Sequence, residues 1–289
     1  MLRLPLRLLV PALAATLIAA CAGTAPAPTP EPTAPPEAAF LVRLTTVQAL
    51  PPQATFGVIP QLVITLDGRV LMAGAVAAIF PGPLVGPIFE QQLTPAGWAQ
   101  IVAAARAAGL LTGAHDFTGG VMPPGSAAAR LQLVADGRLY EITGDPGRIM
   151  VCITTPCDPQ PGTPEAFGGF VSKLSDLGSW LGGQLGPPRA YEPAGYAVIV
   201  GKAPDQQDLE QPILPWPLDV GLGDVGKPLA DGSGGRCATF IADTLPALRP
   251  AFAAANQLTR WRDAGGGALH GLTVRPLLPG DGDPCEGLV

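Results

Sequence analysis

The sequence is poor in charged residues, which make up 14% of its 289 residues, against roughly 25% in typical globular proteins. Hydrophobic residues reach 47%, so the chain does not have the composition of a charge-rich disordered protein, and we expect it to pack a core. The 17 basic and 23 acidic side chains give a net charge of −6. No run of Lys or Arg follows the N-terminal leader, so we expect no nucleic acid partner.

Metal-ligating residues are equally scarce. His115 and His270 are the two histidines of the chain, and the cysteines lack the paired C-x-x-C spacing that structural zinc sites use. The acidic segment 281–283 (DGD) lacks the further oxygen ligands of a recognisable calcium loop. We therefore predict neither a metal nor another cofactor.

The residues that could carry catalysis form no complete constellation. Ser233 lies in the segment 231–235 (DGSGG), which superficially resembles a serine-protease nucleophile loop, but the order of Asp and Gly differs and a Gly-rich linker is the simpler interpretation. His115 and Asp116 could form an orienting pair for acid-base chemistry, although a polar loop after a helix explains them as well. The sequence therefore favours a protein that is not an enzyme.

The N-terminus has the organisation of an export signal. Arg3 and Arg7 precede an apolar run over residues 8–20, which is short for a membrane-spanning helix. Residues 18–21 (IAAC) resemble the lipobox of bacterial lipoproteins, and ordinary cleavage that leaves a free Cys21 is the alternative. The resemblance implies that residues 1–20 are a signal peptide and that Cys21 carries a thioether-linked diacylglycerol.

The same resemblance predicts where the protein resides. More than one acyl chain gives stable membrane anchoring, so the protein is expected to be lipid-anchored on the extracytoplasmic side of the cell envelope. Ala22 follows the cysteine where an Asp would suggest retention in an inner membrane, which favours the outer membrane if the bacterium has one. Residues 22–39 are almost all Ala, Pro, Thr and Glu. With Cys21 they form a predicted tether that could reach roughly 55 Å at about 3.1 Å per residue of polyproline II.

An internal repeat organises the region 40–186. Residues 62–71 (LVITLDGRVL) align with residues 131–140 (LQLVADGRLY) at an offset of 69 residues, and the match continues into two helix starts of the form Thr-Pro. Each unit, about 62–111 and 131–180, is predicted to contain a hairpin with an Asp-Gly turn and then a helix that ends near a glycine. The apolar faces of the predicted helices are expected to cover the sheets. The glycines in question are Gly109 and Gly178, and the Thr-Pro pairs are Thr94-Pro95 and Thr163-Pro164.

The C-terminal module, residues 187–289, is not a third copy of this unit. Its pattern predicts strands over 196–201, 236–242 and 268–275, and a helix over 245–261. Hairpins and single helices without a run of βαβ units indicate an α+β fold with largely antiparallel sheets and helices packed on one face.

Four cysteines outside the leader allow three disulfide pairings in an oxidising compartment. We favour Cys152 with Cys157, which closes a short Pro-containing turn, and Cys237 with Cys285, which pins the C-terminal tail to a strand. In the chain-entropy model the first bridge contributes about 2 kcal/mol and the second about 4 kcal/mol.

Two long apolar loops, 75–89 and 212–218, either fill a core or present a contact surface. If they are exposed, their aromatic side chains Phe80, Phe89 and Trp216 are predicted to anchor a protein or glycan partner.

Several segments together resemble lipoproteins of high-GC bacteria that have no assigned function. They are the lipobox, the tether, the DGR-type hairpins, the LTPxGW helix start at 93–98, and short motifs at 216–218, 236–237 and 275–279 before Cys285. The resemblance spans most of the chain after the tether. It implies an envelope location and supports the Cys237–Cys285 bridge, and it brings no catalytic residue.

These observations predict a membrane-anchored, non-enzymatic lipoprotein that acts as a binding or scaffold module for another envelope component. An envelope hydrolase with an acid-base site near His115 or His270 is one alternative. A purely structural envelope protein is the other.

Overall fold

Alternating apolar residues build two mixed but mainly antiparallel sheets, as the sequence predicts. The computed structural model describes residues 39–76, 78–120, 126–148, 159–205, 209–263 and 265–289. The first sheet has the strand order β5-β7-β6-β1-β2-β3-β4-β8, and only its β5–β7 pair is parallel among the pairs described. Its strands are β1 (Phe40–Gln48), β2 (Leu62–Thr65), β3 (Arg69–Ala73), β4 (Ile88–Gln92), β5 (His115–Asp116), β6 (Ala127–Ala135), β7 (Arg138–Gly144) and β8 (Arg189–Ala190).

The second sheet has the order β10-β13-β14-β9-β12-β11, with a parallel pair between β10 and β13. Its strands are β9 (Gly195–Lys202), β10 (Ile213–Pro215), β11 (Lys227–Pro228), β12 (Arg236–Ile241), β13 (Arg260–Arg262) and β14 (Leu269–Pro276). The helices are α1 (Pro52–Thr55), α2 (Pro95–Ala107), α3 (Pro164–Ser175), α4 (Leu177–Leu181) and α5 (Leu245–Ala253). The α+β class is therefore confirmed.

Helices α2 and α3 cover one face of the first sheet. Both begin as predicted, because Thr94 and Thr163 accept hydrogen bonds from the backbone N–H groups three residues later and a proline follows each of them. The buried cluster beneath them joins apolar residues of the two helices to alternate residues of the strands. It includes Ile101, Ala105, Phe167, Phe170, Val171, Val42, Leu44, Leu62, Ile64, Leu131, Leu133 and Ile142.

The two helices end differently. The chain leaves α2 through Gly109, whose φ is 71°, and the N–H of Leu110 reaches back to the carbonyl of Ala105, as in a Schellman cap. Helix α3 stops at Ser175 because Asp176 leaves the helical conformation and its carboxylate caps α4. The prediction that the second helix ends near Gly178 is therefore wrong.

The two predicted Asp-Gly hairpins are both present, but their turns differ. In the first, Ile64 and Val70 are the last paired residues, and only Gly68 of the pair Asp67-Gly68 has a positive φ, 79°. In the second, Asp136 and Gly137 have φ values of 52° and 73°, which is the two-residue turn that matches strand twist best.

This difference changes which face the returning strands present. Relative to the repeat alignment, the second hairpin is paired one residue out of step with the first, and a one-residue shift exchanges the two faces of a strand. Val70 therefore packs under the helices, whereas the aligned Leu139 packs on the opposite face. Both units contain a hairpin and a helix, and a duplication as their origin stays a prediction.

The first turn also carries a hydrogen-bonded carboxylate. The Thr65 hydroxyl donates to the Asp67 carboxylate, Arg69 Nε lies 2.9 Å from it, and together they lower the pKa of Asp67, with the Thr65 hydroxyl as the largest cause. The predicted role of Asp67 as a turn former is consistent with these contacts.

The predicted helix over 245–261 is wrong in its second half. Helix α5 ends at Ala253, and the side chain of Asn256 then accepts from the N–H of Leu258 at 2.9 Å, which turns the chain toward strand β13. Trp261 consequently lies on that strand and is fully buried. The strands predicted over 196–201, 236–242 and 268–275 are confirmed to within one residue at each end.

The described strands of the two sheets belong to one compact unit, and three segments connect the sheets. The loop between β3 and β4 reaches the core of the second sheet through Leu84. The C-terminal tail places Leu278 on the face of the first sheet that α2 and α3 leave uncovered. Phe56, next to α1, packs with Leu288 of the same tail against the second sheet. Each sheet is therefore packed against segments that adjoin strands of the other sheet.

Candidate functional site

The predicted bridge between Cys237 and Cys285 is present, with the two Cα atoms 5.6 Å apart. Both cysteines are buried next to the C-terminal tail. The other pair, Cys152 and Cys157, and the lipidation residue Cys21 lie outside the described residues. Their pairing and modification stay predictions.

Trp216 does not meet the condition of exposure under which it was predicted to anchor a partner, because its side chain is 2% exposed. Its ring packs against those of Phe240, Phe252 and Trp261, and its Nε1 donates to the carbonyl of Val220 at 2.9 Å. A buried Trp whose N–H is satisfied belongs to the core. The 212–218 segment therefore fills the core at this residue and offers no aromatic anchor there.

The loop between β3 and β4 is fixed at its base. We call residues 74–87 the bridging loop; Ala77 lies outside the described residues. The N–H of Gly74 donates to the carbonyl of Pro87 at 2.8 Å and closes the neck of the loop. The N–H of Leu84 donates to the carbonyl of Ala255, and that of Gln257 to the carbonyl of Gly82. One side of the loop is thereby held against the second sheet's core.

The other side of the bridging loop is apolar and exposed. Val76 is 46% exposed, Ile79 71% and Phe80 63%, and the sequence has no charged residue between Arg69 and Glu90. We call Val76, Ile79 and Phe80 the apolar tip. Single exposed apolar residues are normal on protein surfaces, whereas three within five residues of one loop make that loop a candidate contact site.

Phe89, the third predicted anchor, lies just beyond the bridging loop on β4 and is 42% exposed. A Cβ atom on Gly74 would lie 2.5 Å from the Phe89 ring, so the ring occupies space that a side chain at position 74 would take. The ring is held on the surface beside the loop. Of the three predicted anchors, Phe80 and Phe89 are therefore accessible.

A pocket of about 230 Å³ lies on one side of the bridging loop. We call it the Arg249 pocket, because Arg249 of α5 is the charged residue in its lining. The Nη2 of Arg249 donates to the carbonyl of Pro193 at 3.0 Å, and Nη1 lies 3.5 Å from the exposed carboxylate of Glu192. The pocket is lined by Pro83, Val85, Gly86, Pro87, Ile88, Phe89, Ala190, Tyr191, Pro193, Tyr196, Arg249, Phe252 and Ala253.

A larger groove of about 440 Å³ lies on the other side of the loop, against strand β14. Pro83 and Gly86 of the bridging loop line both cavities. Apart from Thr273 and Gln257, the residues of this groove are apolar or glycine. The loop is thus a ridge between two depressions, and only the Arg249 pocket contains a charge.

His115 and Asp116 do not form the orienting pair that the sequence allows. His115 Nε2 lies 2.9 Å from the hydroxyl of Thr112, and the Asp116 carboxylate instead accepts from the N–H of Thr118 at 2.8 Å. These bonds to Thr118, of which the one from its hydroxyl has the largest effect, lower the pKa of Asp116. His270 lies on β14 of the other sheet. Within the described ranges, no group of three or more His, Cys, Asp or Glu side chains could hold a metal ion.

The remaining polar candidates are structural. The Asp231 carboxylate accepts from the N–H of Ser233 at 2.9 Å, and this bond lowers the pKa of Asp231. The same bond places Ser233 in a tight turn between β11 and β12, which is consistent with the linker interpretation. The carboxylate of Asp281 pairs with two arginines, and that of Asp283 accepts from the N–H of Cys285 at 3.0 Å. These two aspartates hold the tail in place.

Sequence reasoning missed Arg249 and Tyr196 as site residues, since neither belongs to a motif. The Arg249 pocket forms where residues 83–89, 190–196 and 249–253 meet, and no local pattern signals such a meeting. Among the residues that are described, no helix has the length and apolar character to cross a membrane. No protein-family model, curated protein or solved structure matches this chain, so the interpretation of the site rests on its own geometry.

Proposed function

We propose that this protein is a lipid-anchored lipoprotein of the bacterial cell envelope that binds another envelope component, a protein or a glycan, without catalysing a reaction. The apolar tip of the bridging loop, Val76, Ile79 and Phe80, is the observation that carries the proposal. The leader and Cys21 supply the anchor, and residues 22–39 supply the tether.

The apolar tip has the properties that a binding surface needs. Burial of one large apolar side chain against a partner contributes roughly 1.5–3 kcal/mol, and the tip has no charge to desolvate. The backbone hydrogen bonds at the base of the loop reduce the conformational entropy that binding would otherwise cost. A few such anchors carry most of the free energy in typical interfaces.

The binding surface is tested by crosslinking in the producing cell followed by mass spectrometry. We expect Ile79→Ser and Phe80→Ala to reduce the yield of a specific crosslinked envelope partner at least tenfold, because each removes an exposed anchor while the fold is kept. The matched control is Leu66→Ala on the first hairpin turn, since Leu66 is 61% exposed and lies outside the loop. Equal yields from wild type and both loop variants would contradict the proposed surface.

The anchor is tested separately by Cys21→Ala. We expect this variant to lose incorporation of labelled fatty acid and to move from the membrane pellet to the soluble fraction, because no thioether can form. Ala22→Ser, which leaves the cysteine in place, is the control. An unchanged membrane fraction and unchanged labelling in Cys21→Ala would refute lipidation at this residue.

A further inference from the structure

Four aromatic residues line the Arg249 pocket: Phe89, Tyr191, Tyr196 and Phe252. The rings of Tyr196 and Phe252 are 5.2 Å apart, edge to face, which is a favourable geometry for two aromatic groups. Phe89 and the ring of Pro87 close the side nearest the bridging loop. A planar or branched apolar group would contact such walls.

The guanidinium of Arg249 has donors to spare. An arginine carries five N–H donors, and here Nη2 contacts Pro193 and Nη1 contacts Glu192. Its Nε is buried and has no hydrogen-bond partner among the residues that the structure describes. Nη1 and Nη2 each carry two N–H groups and each makes one of these contacts, so N–H groups remain for an acceptor in the pocket.

The size and charge of the pocket restrict what it could take. Its volume of about 230 Å³ is below the roughly 300 Å³ at which ordinary ligand pockets begin, so it admits one terminal group rather than a whole large ligand. Its single lining cation balances a monoanion, and a carboxylate matches the fork of a guanidinium through two parallel hydrogen bonds.

We propose that the Arg249 pocket binds a carboxylate carried beside an aromatic or branched apolar group, with the carboxylate on Arg249 and the apolar group between Phe89 and Tyr196. Two sources share this chemistry, the C-terminal residue of a peptide and a small organic acid. Burial raises the pKa of Tyr196 against smaller opposing effects of the charge and the hydrogen bond of Arg249, so the phenol is neutral and shares the guanidinium with the ligand.

This inference rests on the proposed function, because the same loop that carries the apolar tip also lines the pocket. A partner bound by the tip could place its terminal group in the pocket. The two ideas fail separately, since the tip is tested by crosslinking in cells and the pocket by binding of a defined ligand to purified protein.

The exposed Glu192 provides a second test, in which the expected change in ligand affinity is opposite to that for Arg249. Its carboxylate lies 3.5 Å from Arg249 Nη1 and is 78% exposed, so it competes with a bound carboxylate and repels it. Glu192→Gln removes this charge while it keeps the shape of the side chain. We therefore expect Glu192→Gln to bind the ligand more tightly and Arg249→Met to bind it more weakly.

The experiment is an NMR or calorimetric titration of the purified full-length protein with N-acetylphenylalanine and with its uncharged amide. We expect the acid to bind at least tenfold more tightly than the amide, Arg249→Met to lose at least tenfold of that affinity, and Glu192→Gln to gain two- to fivefold. Arg138→Met, an exposed arginine on β7 outside the pocket, is the control and should bind as wild type does.

A second arm separates the two sources. Tighter binding of the tripeptide Ala-Ala-Phe than of N-acetylphenylalanine would indicate a peptide C-terminus, and the reverse order would indicate a small acid; either order supports the carboxylate site. If Arg249→Met fails to fold, the affinity difference between acid and amide and the affinity of Glu192→Gln still test the proposal. Equal affinities for acid and amide, or no binding of either at millimolar concentration, would overturn the proposal.

Discussion

Replacement of Asp281 by Asn is expected to lower the free energy of unfolding by about 3–5 kcal/mol, because removal of one member of a buried ion pair leaves the other buried and uncompensated. The Asp281 side chain is 3% exposed, and the side chains of its partners Arg43 and Arg275 are 12% and 17% exposed. Arg43 lies on the central strand of the first sheet and Arg275 on β14 of the second. The substitution therefore weakens the junction between the sheets.

Urea denaturation followed by circular dichroism measures this loss. The matched control is Arg106→Gln, which breaks an ion pair with Asp136 whose side chains are 58% and 64% exposed. That pair is worth about 0–1 kcal/mol. A similar small loss for Asp281→Asn would show that the buried pair does not hold the sheets together. A second variant, Asp283→Asn, separates the charge of Asp281 from a general weakening of the tail.

Removal of the Cys237–Cys285 bridge by a double Ala substitution is expected to cost about 4 kcal/mol, since the bridge joins residues 48 apart in sequence and so restricts the unfolded chain. The bridge also holds the tail, where Leu288 is buried and its carbonyl accepts from the N–H of Ala230. We expect local opening of the tail to precede global unfolding in the variant.

The test compares urea midpoints with and without a reductant, in a background in which Cys152 and Cys157 are both Ser so that only one bridge can respond. Reductant should lower the midpoint of the parent to that of the double Ala variant and should leave the variant unchanged. Hydrogen exchange at Ala230 reports the tail directly. A midpoint that does not respond to reductant in the parent would contradict the assigned contribution.

Local signals in the sequence predicted the elements whose causes are local. The Asp-Gly turns and the Thr-Pro helix starts depend on residues within a few positions of one another, and all four are found where expected. In the second sheet, the apolar pattern predicts β9, β12 and β14 but not β10, β11 or β13. The pairing register of the two hairpins was not predicted, because the same dipeptide supports two turn types.

The features that local patterns did not predict depend on contacts between residues distant in the sequence. The segment after Ala253 reads as a continuing helix, but the Asn256 side chain turns the chain locally and Gln257 then bonds to Gly82, 175 residues away. Trp216 and Phe80 are both aromatic residues in Pro-rich loops, and nothing local distinguishes the buried one from the exposed one. Arg249 belongs to no sequence motif that would mark it as a site residue. The accessible part of the site was therefore predicted at Phe80 and Phe89, and the pocket was not.

The position of β1 bears on how the chain reaches this structure. Strand β1, the first among the described residues, lies between β2 and β6. It pairs with residues up to about 90 positions later, as Val42 does with Leu133, while Arg43 meets Asp281 at a separation of 238. High contact order slows folding, because the entropic cost of closing a long loop arises before the contacts that offset it have formed. The ion pair between the sheets can therefore form only after Asp281 has been synthesised, and partly made chains should remain open to proteases and chaperones until then.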